Sequence, residues 1–336
     1  MNRLLLVALL VVAAIGAAAG WVGWRYAAAP LALSAPELDV EIERGVAGGA
    51  IAGTLRRQGV AVPDWLWALA LRLRGDGTRI RAGNYAINAP ITLRELIDRL
   101  TPGEVTLRDV TLIEGWTFRQ VREALAKHPD LRSDSARLSD AEVLARVGAT
   151  ETHPEGLFAP DTYAFARGSS DLEILRRAYR LQRHRLDRAW EARLRRPDPS
   201  PYKTPYEALI MASIIEKETG READRRKVAA VFANRLRIGM KLQSDPTTIY
   251  GMGEAFDGNL RRRDLVTDTE YNTYTRSGLT PTPIAMPGLA SIEAALDPAP
   301  IRALYFVARG DGSSEFSDDL AAHNRAVARY QRRTSP

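Results

Sequence analysis

Two glutamates stand two residues apart at the end of an otherwise apolar run, ALIMASIIEKETG, residues 208–220. A helix turns roughly 100° per residue, so positions can be assigned to faces by counting from Glu218. Ile210, Met211, Ile214 and Ile215 fall within about 80° of it. Glu216 lies about 160° away, beside Leu209 and Ser213, where Lys217 and Thr219 begin a polar face. Glu218 therefore sits on the stripe that packs inward, just before Gly220, a residue type that often ends helices. A carboxyl there must find a partner or hold its proton. Desolvation raises its pKa, and a raised pKa suits a general acid working near neutral pH. Spacing alone leaves two readings open: a general acid, or a structural ion pair with Arg221 or Arg225. Glu216 is expected to be a solvated charge.

Other reactive constellations are missing. His128, His153, His184 and His323 are scattered, with no HExxH, and there is no Walker A lysine, dinucleotide glycine pattern or G-x-S-x-G elbow. The absence of cysteine removes disulfides, zinc-thiolate sites and thiol nucleophiles, so neither metal nor cofactor is expected. What remains downstream of Glu218 is a pair of polar, aromatic segments, KLQSDPTTIYGMG and TEYNTYTRSGLTPTPIAMPG, with the composition of binding loops. Gln243, Asp245, Asn272 and Tyr274 suit a sugar chain, whose hydroxyls need hydrogen bonds and whose ring faces stack on aromatics. Loop architecture is the alternative, since Asp245 before Pro246 is a normal turn starter and Asn272 can bond backbone. Asn234 and Arg235, on the preceding helix, are further binding candidates. Glycosidases normally use two carboxylates. A lone Glu218 suggests a variant that needs no water, with Glu114 and Glu155 as reserve carboxylates.

The elements that must position these residues can be traced along a chain of 336 residues with 45% hydrophobic composition, enough for two or more globular parts. Net charge is +6, which by itself suggests an anionic partner. The N-terminus carries no charge over residues 4–24, and about 20 apolar residues span a bilayer. Trp21, Trp24 and Tyr26 read as interfacial anchors. Ala17, Ala18 and Ala19 offer a cleaved signal peptide as the rival reading. Arg3 favours a cytoplasmic N-terminus, Arg25 weakens that bias, and the remainder is expected outside the cytoplasmic membrane, away from nucleic acid. The expected fold class is α+β: an anchor helix (1–26), a linker (27–37), a small module (38–104) and a larger α+β domain (105–336). In the module a strand at LDVEIERG, two helices and a strand at IRAGNYAINAP precede a helix closing at Gly103, an arrangement that resembles a LysM-like glycan-binding fold. A plain spacer is the alternative. The larger domain shows helix patterns at 117–127, 140–147, 171–195 and KVAAVFANRLRIGM, then a hairpin around GDG and a helix from Asp319. The arginines of 171–195 read as a solvated face, or as a contact for anionic lipid or peptide carboxylates.

MASIIEKETG, FANRLRIGMKLQSDPTTIYGMG, YNTYTRSGL and LYFVARGDGSSEFSDDLAAHNRAV, with IEGWTF and EGLFAPDTYAF upstream, closely resemble the YceG-like family of endolytic murein transglycosylases. The resemblance covers nearly the whole chain. It implies that Glu218, the second Glu of the EKE triplet, is the catalytic acid. It also implies that nascent peptidoglycan strands are cut internally between N-acetylmuramic acid and N-acetylglucosamine, leaving 1,6-anhydro ends and terminating strand growth. Peptidoglycan synthases, the penicillin-binding proteins, and the inner membrane are the implied partners. The alternative is a non-catalytic, membrane-anchored peptidoglycan-binding scaffold, which would have no need of a carboxylate on a buried stripe. A pyridoxal-phosphate lyase is disfavoured by the export signal and the lack of a cofactor site.

Overall fold

The computed structural model describes residues 3–42, 46–75, 80, 83–101 and 107–331, and their side chains except those of residues 3–10, 83, 84, 86 and 107. The helix stop expected at Gly103 and the charged tail beyond residue 331 lie outside the described residues. The chain is α+β and divides into two compact units, residues 1–111 with 162–169, and residues 112–161 with 170–336.

The first unit carries the N-terminal helix α1 (Arg3–Ala27), strand β1 (Glu37–Ile42), a 3-10 turn at Gly48–Ala50, helices α2 (Ile51–Arg57) and α3 (Asp64–Arg74), strand β2 (Gly83–Asn88) and helix α4 (Leu93–Leu100). β3 (Leu107–Thr111) and β4 (Thr162–Ala166) join the same sheet, in the order β1-β2-β4-β3. β1 and β2 run antiparallel, as do β3 and β4, while β2 meets β4 in parallel. The unit therefore takes in two strands that lie within residues 105–336, the range expected for the following domain. α4 starts where Thr92 and Glu95 exchange hydrogen bonds with each other's backbone N–H, which satisfies two otherwise orphaned donors. Val40, Leu55, Leu66, Trp67, Ile87 and Ile97 meet in a core from which water is excluded. The Trp67 indole N–H, which a wholly apolar pocket would leave unsatisfied, donates to the Gly48 carbonyl at 2.8 Å.

Among the described residues no helix is long and apolar enough to cross a membrane. The uncharged run expected to do so begins within residues 3–10, whose side chains lie outside the described set. Its far end is attached to the first unit: Val22 and Tyr26 pack against the core, and Trp21 stacks on Trp65 of α3.

The second unit contains α5 (Phe118–Lys127), α6 (Asp140–Val147), α7 (Asp171–Leu194), α8 (Pro205–Glu218), α9 (Glu222–Arg237), α10 (Asp245–Met252), α11 (Arg262–Val266), α12 (Leu289–Leu296), the hairpin β5 (Tyr305–Ala308) and β6 (Ser314–Ser317), and α13 (Leu320–Tyr330). α8 is its central rod. Residues 208–215 are all buried, with α7, α9, α10 and α12 packed around them. Two expectations change here. The segment read as a binding loop from Asp245 is helix α10, because an Asp-Pro pair behind a serine is helix-start chemistry as much as turn chemistry. The arginines of α7 are not all solvated: Arg185 pairs with Asp161 at 2.6 Å, and the buried Arg193 pairs with Asp198 at 3.0 Å.

Candidate active site

α8 opens with Thr204 accepting from the Glu207 N–H and Pro205 in the first turn. It closes on Glu218, after which Thr219 is extended. The last turn of a helix is its negative end, so a carboxylate there gains nothing from the backbone. Glu218 is half-buried, and its Oε1 accepts a hydrogen bond from the Ser244 hydroxyl. Its partner is thus a hydroxyl and not the Arg221 or Arg225 guanidinium. Burial pushes the Glu218 carboxyl from 4.5 up to about 7; the Asp245 charge adds to the rise, while the Ser244 bond and the Arg235 charge oppose it. A half-buried acid that titrates near neutrality can exist in both protonation states at working pH, as a proton donor and acceptor must.

Two segments wall this acid. Ser244 occupies the N-cap position of α10, yet its hydroxyl caps nothing and turns to Glu218. Forgoing a cap costs a helix roughly 1 kcal/mol. Gln243, one residue earlier, has φ 52°, and among the described residues it is the one non-glycine with positive φ. Such backbone strain gathers at sites where function fixes the geometry. The Gln243 side chain is exposed, and its backbone N–H donates to the Thr273 carbonyl at 3.1 Å. The Thr273 hydroxyl accepts from the Ser244 N–H at 3.0 Å and lies 2.8 Å from the Thr247 hydroxyl, which knots the two segments together. The Tyr274 hydroxyl donates to Asp245 Oδ1, leaving the tyrosine half-buried and the aspartate exposed.

The other proposed binding residues are taken up by the scaffold. Asn272 is fully buried; its amide donates to the carbonyls of Asp264, Leu265 and Thr267, and its oxygen accepts from the Tyr274 N–H. Asn234 donates to the carbonyls of Ile301 and Ala303 at 3.0 and 3.1 Å. The buried Arg235 donates to the Leu304 carbonyl at 2.7 Å and the Leu242 carbonyl at 2.6 Å, with its guanidinium 5.3 Å from the Tyr305 ring centre. Gln243, Asp245 and Tyr274 thus carry exposed or half-exposed polar groups near Glu218, whereas Asn272, Asn234 and Arg235 hold the loops that present them. Ser244 escaped the sequence reading. Its position was legible, since a serine directly before Asp-Pro marks a helix start, but the turn of its hydroxyl away from its own helix and toward Glu218 is set by tertiary packing.

The expectation for Glu216 is corrected. It is half-buried, and its Oε2 accepts from the Gly288 N–H at 3.0 Å and the Ser291 hydroxyl at 2.7 Å, so it anchors the start of α12. The face count assumed one wet side, but α12 covers that side. Glu114 borders the same helix start: its carboxyl lies where a Cβ on Gly288 would go, and burial followed by the nearby Glu216 charge raises its pKa. Glu155 is 3% exposed; its oxygens accept from the Phe118 N–H at 2.9 Å and the Tyr250 hydroxyl at 3.0 Å, and burial lifts its carboxyl to about 7. It pins α5 to α10. The second carboxylate whose charge reaches Glu218 is Asp245, not either reserve residue. Among the described residues no group of three or more acidic or histidine side chains is placed to hold a metal ion.

The model of the YceG-like family matches residues 40–329 of the chain, a range that includes Glu218 and the Ser244-Asp245-Pro246 helix start. The chain belongs to that family. It is 32% identical over 318 residues to the endolytic murein transglycosylase of Bacillus subtilis, covering 87% of this chain and 84% of that protein. It is 26% identical over 367 residues to the endolytic murein transglycosylase of Streptococcus pneumoniae strain D39, covering 96% of this chain and 64% of that protein. Among solved structures, a yceG-like protein of Listeria monocytogenes superposes with TM-score 0.54 and 28% identity, over 86% of this chain and 98% of the other.

Proposed function

We propose that the protein is an endolytic lytic transglycosylase acting on nascent peptidoglycan strands, with Glu218 as both acid and base. The observation that carries this reading is the half-buried Glu218 carboxyl, titrating near 7 at a helix end, in a chain related to named murein transglycosylases. Protonated Glu218 donates to the oxygen linking N-acetylmuramic acid to N-acetylglucosamine. The C1–O bond breaks as positive charge gathers at C1 of the muramic acid, with its 2-acetamido group able to assist. The Glu218 carboxylate then takes the proton of the same sugar's C6 hydroxyl as that oxygen bonds to C1. The acid is restored, water is not consumed, and the strand end is a 1,6-anhydro sugar. Gln243, Asp245 and Tyr274 are proposed to hold the strand.

Product analysis in heavy-oxygen water tests the chemistry. Anhydro ends free of label are expected, one water lighter than hydrolytic ends, with internal fragments appearing early. Labelled reducing ends would instead mean hydrolysis and would assign Asp245 the role of activating water.

Ser244 is proposed to tune the acid. Its hydroxyl bond lowers the Glu218 pKa, so Ser244→Ala is expected to raise it and move the alkaline limb of the pH–rate profile upward. Activity at pH 6 should fall by no more than about tenfold. A limb at the wild-type position would remove Ser244 from this role.

The first unit is proposed to bind glycan in the manner of a LysM-like module, supported by its β1-α2-α3-β2 succession. In the full chain carrying Glu218→Gln, added glycan strands should slow amide exchange within residues 46–75 as well as around residues 243–274. Protection confined to the second segment would leave the first unit a spacer. Residues 4–24 are proposed to anchor the chain in the inner membrane with the second unit outside the cytoplasm, where synthases of the penicillin-binding type would be its partners; the uncharged sequence supports this.

A further inference from the structure

We propose that the outer face of α3, together with the end of α1, is a lipid-contacting surface that lays the first unit against the headgroup region of an anionic bilayer. This rests on the membrane anchorage proposed above and extends it from the helix to the module.

α3 has two apolar faces where an ordinary surface helix has one. Leu66, Trp67, Ala70 and Leu71 point into the core. On the other side Trp65 is 48% exposed and Leu73 77% exposed, with Ala68 and Arg72 also open to solvent. Counting at roughly 100° per residue, Trp65, Ala68, Arg72 and Leu73 share a stripe about 140° wide. A single exposed apolar side chain needs no explanation, but this stripe does not stand alone. Trp21 stacks on Trp65 with centroids 6.0 Å apart and planes 10° from parallel, and the Arg74 guanidinium donates to the Tyr26 hydroxyl at 3.0 Å. The patch is therefore continuous with α1, whose residues 11–20 are exposed on every side although their sequence is apolar. An apolar helix uncovered all round has an apolar solvent, and a tryptophan pair flanked by arginines at its end has the composition of a headgroup layer. Arg74 is paired with Asp98 at 2.6 Å, so the preference for anionic lipid rests on the exposed Arg72.

The chain contains no cysteine, so single cysteines report without background. Val12→Cys, Leu73→Cys and Asp187→Cys in the full chain, each carrying an environment-sensitive fluorophore, would be placed in phosphatidylglycerol–phosphatidylethanolamine vesicles with brominated acyl chains. The Leu73 label should be quenched several-fold more than the Asp187 label. Leu73 quenched together with Val12 supports both the surface and the anchor. Leu73 quenched without Val12 keeps the surface and overturns the anchor. Val12 quenched while Leu73 matches Asp187 overturns the surface and spares the anchor, and no quenching at either overturns both. Replacing phosphatidylglycerol by phosphatidylcholine should weaken the Leu73 signal; an unchanged signal would overturn the anionic preference. A Leu73 signal that depends on protein concentration and not on lipid would assign the face to a second copy of the chain and overturn the proposal.

Discussion

Glu218→Gln is expected to lower glycan cleavage by on the order of 10³-fold while leaving the fold intact. Glutamine keeps the shape and can still accept from Ser244, but it can neither give nor take a proton. The pH dependence of stability supplies an independent check. The folded Glu218 titrates near 7 against an ordinary value of 4.5, so between those values the folded state binds more protons than the unfolded one. Stability attributable to this group therefore falls as pH rises from about 4.5 to about 7, and the loss is complete above that. Glutamine has no such loss. The variant should melt close to wild type at pH 4 and above it at pH 8, by an amount worth about 1–3 kcal/mol. A folded variant with wild-type turnover would remove Glu218 from the chemistry; a variant less stable than wild type at pH 8 would mean the carboxylate is structural.

The second large effect is expected at Arg235. Arg235→Ala strips the Leu304 and Leu242 carbonyls of their donors and uncovers the Tyr305 ring. Leaving a buried carbonyl without its donor costs about 1–3 kcal/mol, and here two lose theirs. The same change deletes a positive charge that holds the Glu218 pKa down, so in any folded fraction the alkaline limb of activity should move upward. Arg235→Lys separates the two: lysine keeps the charge but not the planar fork, so the limb should stay near wild type while most of the stability is lost. Denaturant unfolding and pH–rate profiles read both quantities, and an alanine variant as stable as wild type would refute the stapling role.

The part of the site that was legible in sequence was the part governed by one helix. Glu218 could be singled out because period 3.6 fixes its face on α8 whatever surrounds it. Glu216 was misread because its environment is set by α12, more than seventy residues away, and a face count cannot tell an outer face from one that another helix covers. The Asp-Pro pair of α10 admits turn and helix alike, and what selects the helix is packing on α8. Asn272 and Tyr274 came from one segment with similar polarity. Tertiary contacts alone bury the first among carbonyls and leave the second half-exposed beside Asp245. In the first unit the β1-α2-α3-β2 order could be read locally, but the parallel meeting of β2 and β4 could not, since its two strands have no neighbouring turn to announce them.

That parallel pairing also decides where the polypeptide can be cut. β2 has β1 on one edge and β4 on the other, and β4 is reached only after residues 112–161 have been threaded through the second unit. A fragment ending at residue 104 would carry β2 with a bare row of amide and carbonyl groups along one side, a template for pairing with other chains. During synthesis the same edge stays open until the ribosome has passed residue 166. Sheet closure in the amino-terminal unit is thus a late event, and the segment between β3 and β4 is an insertion within that unit, not a sequel to it.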